Sequence, residues 1–151
     1  MNDLAWSADL AVTSWLARWL LSGLALAVGI LGITAVWLAL ATLSDSPSSW
    51  LALFAAADMA LMLRLTQAPG SWFRRVAAVF ATALAIAASH WFIVATYFGQ
   101  ALGLGTIESA RRLGPVLAWA MTSLSLGPAD WFLLLVSLPL AAFWAGKGRT
   151  P

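Results

Sequence analysis

The sequence predicts an all-α integral membrane protein with about four transmembrane helices and a short interfacial or re-entrant helix near residues 107–126. Apolar residues make up 62% of the 151-residue chain and charged residues only 9%. Soluble domains carry about 25% charged residues. The apolar residues form runs whose lengths are close to the roughly 20 residues that a helix needs to cross a hydrocarbon core of about 30 Å. One helical membrane domain, residues 1–151, therefore accounts for the chain.

The first predicted transmembrane helix covers residues 19–43, which include no charged residue. Gly23, Gly29 and Gly32 within it let a neighbouring backbone approach closely. Residues 3–18 mix polar and apolar side chains in a pattern typical of a helix lying in the membrane interface. They fit a polar start of the same helix equally well. The apolar run is too long for a secretory signal peptide, so we expect it to be retained.

The second predicted transmembrane helix, residues 50–67, follows a turn at 44–49 that is rich in Ser, Asp and Pro. At 1.5 Å per residue this helix reaches roughly 27 Å, which is barely enough to span. Pro69 and Gly70 are expected to end it. Asp58 lies near its middle.

The third predicted transmembrane helix, residues 76–98, begins after the basic pair Arg74 and Arg75. Small residues recur at every fourth position along it and give a smooth face on which another helix can pack closely. These residues are Ala77, Ala81, Ala85 and Ser89. We therefore expect this helix to pack against other helices.

The C-terminal third of the chain holds the short helix and the last predicted span. Residues 113–126 are apolar but too few to cross a membrane, which favours an interfacial or re-entrant helix at 107–126. The fourth predicted transmembrane helix covers residues 129–146. It contains Pro139, which a membrane helix tolerates as a kink.

Basic residues indicate how the chain is oriented, because Lys and Arg in short loops are retained on the cytoplasmic side. With four helices, one side receives Arg18, Arg64, Arg74, Arg75, Lys147 and Arg149. Arg111 and Arg112 fall on the other side. Both termini are therefore predicted to be cytoplasmic, in a bacterial inner (plasma) membrane. Most of the ten Trp residues lie near segment ends, where they are expected to anchor at the interface.

The composition argues against several classes of chemistry. The chain has no Cys, which excludes disulfides, thiolate metal sites and iron–sulfur clusters. The net charge of +2 reflects topology, so no nucleic-acid partner is expected. No nucleophile elbow, metalloprotease helix or phosphate-binding loop occurs. We predict no catalytic residues, no metal site and no cofactor, and the chain is more plausibly not an enzyme.

Asp58 and His90 are the strongest candidates for functional residues, because ionisable groups inside hydrocarbon are costly and usually face a bundle interior or a cavity. Each lies about 12 Å below the outer end of its predicted helix, at 1.5 Å per residue. If their faces meet, the pair forms either a proton relay or an interhelical hydrogen bond. A haem ligand at His90 would need a second chain, since there is no other His. Tyr97 is an interface anchor or lines the same cavity.

Two further polar positions flank the short helix. Glu108 and Arg112 are four residues apart and can pair on a helix surface. Together with Arg111 they form either a solvated face or a docking patch for lipid phosphates or a partner protein. Asp130 follows Gly127 and Pro128 and is expected to be a helix N-cap.

Three functional hypotheses remain. The first is a non-enzymatic subunit or accessory protein of a bacterial inner-membrane assembly, acting through helix–helix contacts. Its partners would be membrane lipids and other membrane protein subunits, or copies of itself. The second is a small homo-oligomeric proton-coupled transporter or channel that uses Asp58 and His90. The third is an enzyme acting on lipid headgroups, for which only the region from Glu108 to Asp130 offers acidic and basic groups.

Overall fold

The computed structural model describes residues 3–68 and 71–147, with side chains from Leu16 onward except that of Ser71. Within these ranges every regular element is an α-helix, which confirms the all-helical prediction. The helices are α1 (Asp3–Ser44), α2 (Leu51–Leu65), α3 (Ser71–Leu102), α4 (Thr106–Arg112), α5 (Pro115–Ser125) and α6 (Pro128–Gly146).

Three of the described helices, α1, α3 and α6, are long and apolar enough to cross a membrane. The helix α2 is shorter than the predicted 50–67, because it begins at Leu51 and ends at Leu65. Its 15 residues reach only about 22 Å at 1.5 Å per residue. The Pro69 and Gly70 step expected to end it lies outside the described residues. By length and composition, then, the chain is a membrane protein with three candidate spans.

Both long N-terminal helices extend past their predicted ends. The helix α1 is continuous from Asp3, so residues 3–18 form the start of the same helix rather than a separate one. The helix α3 runs on to Leu102, four residues beyond the predicted end. It ends there because Gly103 adopts a left-handed conformation with φ of 68°, and the Leu104 N–H donates to the Gly99 carbonyl.

The predicted single helix at 107–126 is wrong: the segment forms two helices, α4 and α5. Leu113 and Gly114 between them have extended backbone conformations, with ψ angles of 116° and 151°. Pro115 then takes the first position of α5, where its missing N–H costs nothing. The helix α6 begins one residue before its predicted start and continues through Pro139 to Gly146, as expected.

The helix α2 lies at the centre of the bundle and packs against α1, α3 and α6. Its buried side chains recur in pairs every fourth residue, and most are Ala, which allows close approach on a broad face. They are Leu51, Ala52, Ala55, Ala56, Met59, Ala60 and Leu63. The small-residue row of α3 also packs inside the bundle, as predicted: Ala81, Ala85 and Ser89 are buried and Ala77 is half-buried.

Basic residues gather at one end of the bundle. The Ser22 hydroxyl donates to Thr66 Oγ1 at 2.8 Å, and the Arg64 guanidinium donates to the Trp144 carbonyl. These contacts bring together α1, the end of α2 and the end of α6. The described basic residues at this end are Arg18, Arg64, Arg74, Arg75 and Lys147. Arg149, predicted on the same side, lies outside the described residues.

Candidate functional site

Asp58 lies on α2 and faces α1. Its side chain is half-buried, and a Cβ placed on Gly29 would lie 3.1 Å from Asp58 Oδ2. The same position would lie 2.8 Å from Met59 Cε. The carboxylate therefore occupies space that the missing side chain of Gly29 leaves open between α1 and α2.

His90 lies on α3 and faces Trp37 of α1. The two rings are in edge contact, with centroids 5.3 Å apart and planes at 70°. The imidazole is 7% exposed, and its Nδ1 lies 2.9 Å from the Ile86 carbonyl oxygen of its own helix. Its Nε2 is buried and has no hydrogen-bond partner among the described residues.

The structure does not bring Asp58 and His90 together as the predicted pair. Their neighbours on α1, Gly29 and Trp37, are eight residues apart, which is about 12 Å along the helix. The predicted common depth used residue 98 as the end of α3, and the helix continues to Leu102. A proton-transfer role for either residue stays a prediction.

Two cavities meet at His90. The apolar cavity, of about 410 Å³, lies between α3, α5 and α6, and its lining includes Ala87, Trp91, Trp119, Trp131 and Leu135. The polar cavity, of about 350 Å³, lies below the turn between α1 and α2, and its lining includes Asp45, Ser46, Tyr97 and Ser125. His90, Thr122 and Leu126 line both. His90 therefore has a mostly apolar space on one side and a more polar one on the other.

Tyr97 closes one wall of the polar cavity. Its hydroxyl lies 3.1 Å from Asp45 Oδ1 and 3.2 Å from the Ala41 carbonyl oxygen, so it has two acceptors within reach. The ring is 37% exposed. Tyr97 and His90 both line the polar cavity, and the contacts of the Tyr97 hydroxyl tie the end of α1 to α3. Its role as an interface anchor stays a prediction.

The charged residues of α4 lie on the surface of that helix. Arg112 Nη2 and Glu108 Oε1 are 2.6 Å apart, which confirms the predicted i+4 pair. Arg111 is exposed beside them. Both partners of the ion pair are at least half exposed, so it contributes about 0.3–0.5 kcal/mol, as is usual for such pairs on helices. Their role as a docking patch stays a prediction.

Asp130 is not the N-cap of α6, as the sequence suggested, but the third residue of its first turn. Gly127 occupies the N-cap position, and its N–H donates to Asp130 Oδ2 at 2.9 Å. The carboxylate therefore reaches back to a backbone donor, as the third residue of a capping box does. This contact fixes the turn between α5 and α6.

The chain matches no protein-family model, and searches of curated proteins and of solved structures found no match. In the described part of the chain, no three His, Asp or Glu side chains are grouped to hold a metal ion. The proposals below therefore depend on the geometry of this chain alone.

Sequence reasoning missed most of the walls around His90. Trp119 and Trp131 pack against each other with ring centroids 5.8 Å apart, and this contact joins α5 to α6 beside the apolar cavity. The sequence predicted an interface anchor at Trp131. The available signal was the recurrence of Trp at positions 91, 119 and 131, although nothing in the sequence places these three residues on one side of His90.

Proposed function

We propose that this chain is a non-enzymatic accessory subunit of a bacterial inner-membrane assembly, and that it contacts its partner through an outward patch on α1. The patch consists of Gly32, Ala35 and Ala39, bordered by Val28 and Leu31. All five residues are exposed. The observation that carries the proposal is that a Cβ on Gly32 would meet no atom of the described residues within 4 Å, so none of the described helices uses the close approach that Gly32 permits.

Small residues on an apolar helix surface favour helix association in membranes, because van der Waals packing and interhelical hydrogen bonds drive it there. Several other small residues of the described bundle are already packed inside it. Gly29 is filled by Met59 and Asp58, and the small-residue row of α3 is packed inside. The outward patch is thus a small-residue surface of α1 that faces away from the bundle.

In the membrane we place four crossings, α1, α2, α3 and α6, with both termini in the cytoplasm. The clustering of Arg64, Arg75 and Lys147 at one end supports this orientation, since basic residues are retained on the cytoplasmic side. The helix α2 is short for a span, but its packing against three longer helices supports including it. The composition and the absence of Cys support a bacterial inner membrane.

No described contact favours the two alternatives. A proton-coupled channel that uses Asp58 with His90 needs the two groups to exchange a proton, and they contact positions on α1 that lie two turns apart. An enzyme acting on lipid headgroups would use the region from Glu108 to Asp130. There, Glu108 pairs with Arg112 and Asp130 accepts from the backbone of Gly127.

Extraction of the tagged chain from its native membrane in a mild detergent tests the proposal, with every co-purifying chain identified and its stoichiometry measured. We expect a foreign membrane subunit in fixed ratio with the wild type. Gly32→Leu should remove this subunit, because the larger side chain prevents close approach.

Gly23→Leu is the matched control. A Cβ at Gly23 also meets no atom within 4 Å. Gly23 and Gly32 are nine positions apart, which is two and a half turns and places them on opposite sides of α1. We expect this variant to keep the subunit. A complex that contains only copies of this chain, or equal loss in both variants, would contradict the proposal.

A further inference from the structure

His90 stands at the junction of the apolar and polar cavities with one ring nitrogen unused. The Ile86 carbonyl can only accept a hydrogen bond, so Nδ1 carries a proton and donates to it across 2.9 Å. In the neutral imidazole, Nε2 is then an acceptor. No described side chain or backbone group donates to it, although it is buried. A buried acceptor without a donor is costly, and a ligand with a donor would remove that cost.

The apolar cavity has the size and lining of a binding site for a small apolar molecule. Its volume of about 410 Å³ falls within the range of about 300–1,000 Å³ that is typical of ligand pockets. Its lining is made mostly of Trp, Ala, Leu and Ile side chains. Ala87, Trp119 and Leu135 are exposed, so the cavity opens to the outer surface of the bundle between α3, α5 and α6. In a bilayer this opening faces the acyl chains.

The charges near His90 select the head of such a ligand. The Asp45 carboxylate lines the polar cavity together with His90. No described Lys or Arg lines either cavity. A carboxylate or phosphate head would therefore meet negative charge without a cation to balance it. A neutral hydroxyl meets no such repulsion and supplies the donor that Nε2 lacks.

We propose that this chain binds an apolar alcohol from the bilayer, with the apolar body in the apolar cavity and the hydroxyl donating to His90 Nε2. The site is independent of the outward patch on α1, since none of its lining residues belongs to that patch. The loss of one activity therefore leaves the other unaffected.

A photoreactive long-chain alcohol, a dodecanol that carries a diazirine in its chain, tests the proposal on the full chain in lipid nanodiscs. The cross-linked peptides are mapped, and 1-dodecanol, its methyl ether and dodecanoate compete for labelling. We expect labelling of α3, α5 and α6 around the apolar cavity. The methyl ether should compete about tenfold more weakly than the alcohol, as for the loss of one buried hydrogen bond, and dodecanoate more weakly still.

Three variants separate the contributions to binding. His90→Phe removes the acceptor and should abolish the preference for alcohol over ether while the cavity is still labelled. Ala87→Phe should reduce labelling by every probe, because it fills the exposed mouth of the cavity. Ala57→Phe on the exposed side of α2 is the control and should change nothing. Equal competition by alcohol and ether, an unchanged preference in His90→Phe, or labelling spread evenly over all helices would overturn the proposal.

Discussion

Gly29 sets the distance between α1 and α2. The close approach of Met59 Cε and Asp58 Oδ2 to the position of a Cβ leaves no room for a side chain there. Gly23, on the same helix, has open space around it. The sequence predicts close packing at both glycines, and the structure shows that only Gly29 of the two is used for it within the described residues.

Gly29→Leu should therefore lower the free energy of unfolding by about 1–3 kcal/mol, as for other overpacked positions. Reversible unfolding in mixed micelles of a mild detergent and dodecyl sulfate measures this change. Gly23→Leu is the control and should leave the stability unchanged or slightly higher, since Leu has the greater helix propensity. Equal effects of the two substitutions would show that α1 and α2 do not pack as described.

The His90 ring stabilises the bundle through its edge contact with Trp37, but it also buries Nε2, which has no hydrogen-bond partner among the described residues. His90→Phe keeps the contact and removes the nitrogen, so the free energy of unfolding should rise by about 1 kcal/mol. The same unfolding assay measures it, in the absence of added alcohol. A variant less stable than the wild type would show that Nε2 is already satisfied in the free protein.

Residue identity gave part of the candidate site in advance. The cost of ionisable groups in an apolar segment drew attention to His90, which lines both cavities, and the seven-residue spacing of Tyr97 from it left open that the two share a cavity, as they do. The residues at the same depth as His90 on neighbouring helices were not predictable. The end of α3 was placed four residues too early, which shifts the inferred depth of His90 by about 6 Å.

At the scale of elements, α3 shows where sequence patterns locate a helix well and where they do not. Its small-residue row and apolar length predicted the body of the helix. Its end was placed too early because Gly99 looks like a helix breaker. The structure instead uses Gly99 for close packing of α4, with Ser109 and Leu104 beside it, and ends the helix at Gly103.

Gly103→Ala tests this termination. An Ala there must adopt φ of 68°, which costs about 1 kcal/mol relative to Gly. No atom lies within 4 Å of the added Cβ, so the loss in unfolding free energy reports the backbone alone. Gly105→Ala is the matched control, with φ of −72° and equally open space, and it should lose less stability than Gly103→Ala, only the smaller preference of an N-cap for Gly over Ala. A loss in Gly103→Ala no larger than that in Gly105→Ala would contradict a left-handed helix end at Gly103.

The same scale explains the correction at 107–126. A continuous apolar run indicates one helix, but Gly114 and Pro115 break it into two. Hydrophobic periodicity does not show in which direction the chain continues after such a break. As a result α5 turns back against α3, beside Val94, and forms a wall of both cavities. This turn creates the site, and sequence patterns carry little information about it.

For the molecule as a whole, the distribution of charge is the feature that sequence reasoning anticipated best. The described basic residues of short connections gather at one end, while Asp45, Glu108, Arg111, Arg112 and Asp130 belong to the other. This segregation is the structural basis of the proposed topology.

Single cysteines in this cysteine-free chain measure that topology. Ser46→Cys should react with a membrane-impermeant maleimide from the outer side, and Lys147→Cys only after the inner membrane is opened. Both positions are exposed. Labelling of both positions from one side would show that α2 does not cross the membrane. Only α3 and α6 would then cross between the two positions, and two crossings return the chain to the side from which it started. Reversed labelling would place the basic end outside.

The most direct test of the proposed function is a cross-link formed in the native membrane. A photoreactive label on a single cysteine at Ala35, within the outward patch, is compared with the same label at Gly23. We expect the Ala35 label to form a protein adduct with one foreign membrane subunit and the Gly23 label to react with lipid. Adducts with lipid alone at both positions, or with a second copy of this chain at Ala35, would contradict the assignment of this protein as an accessory subunit.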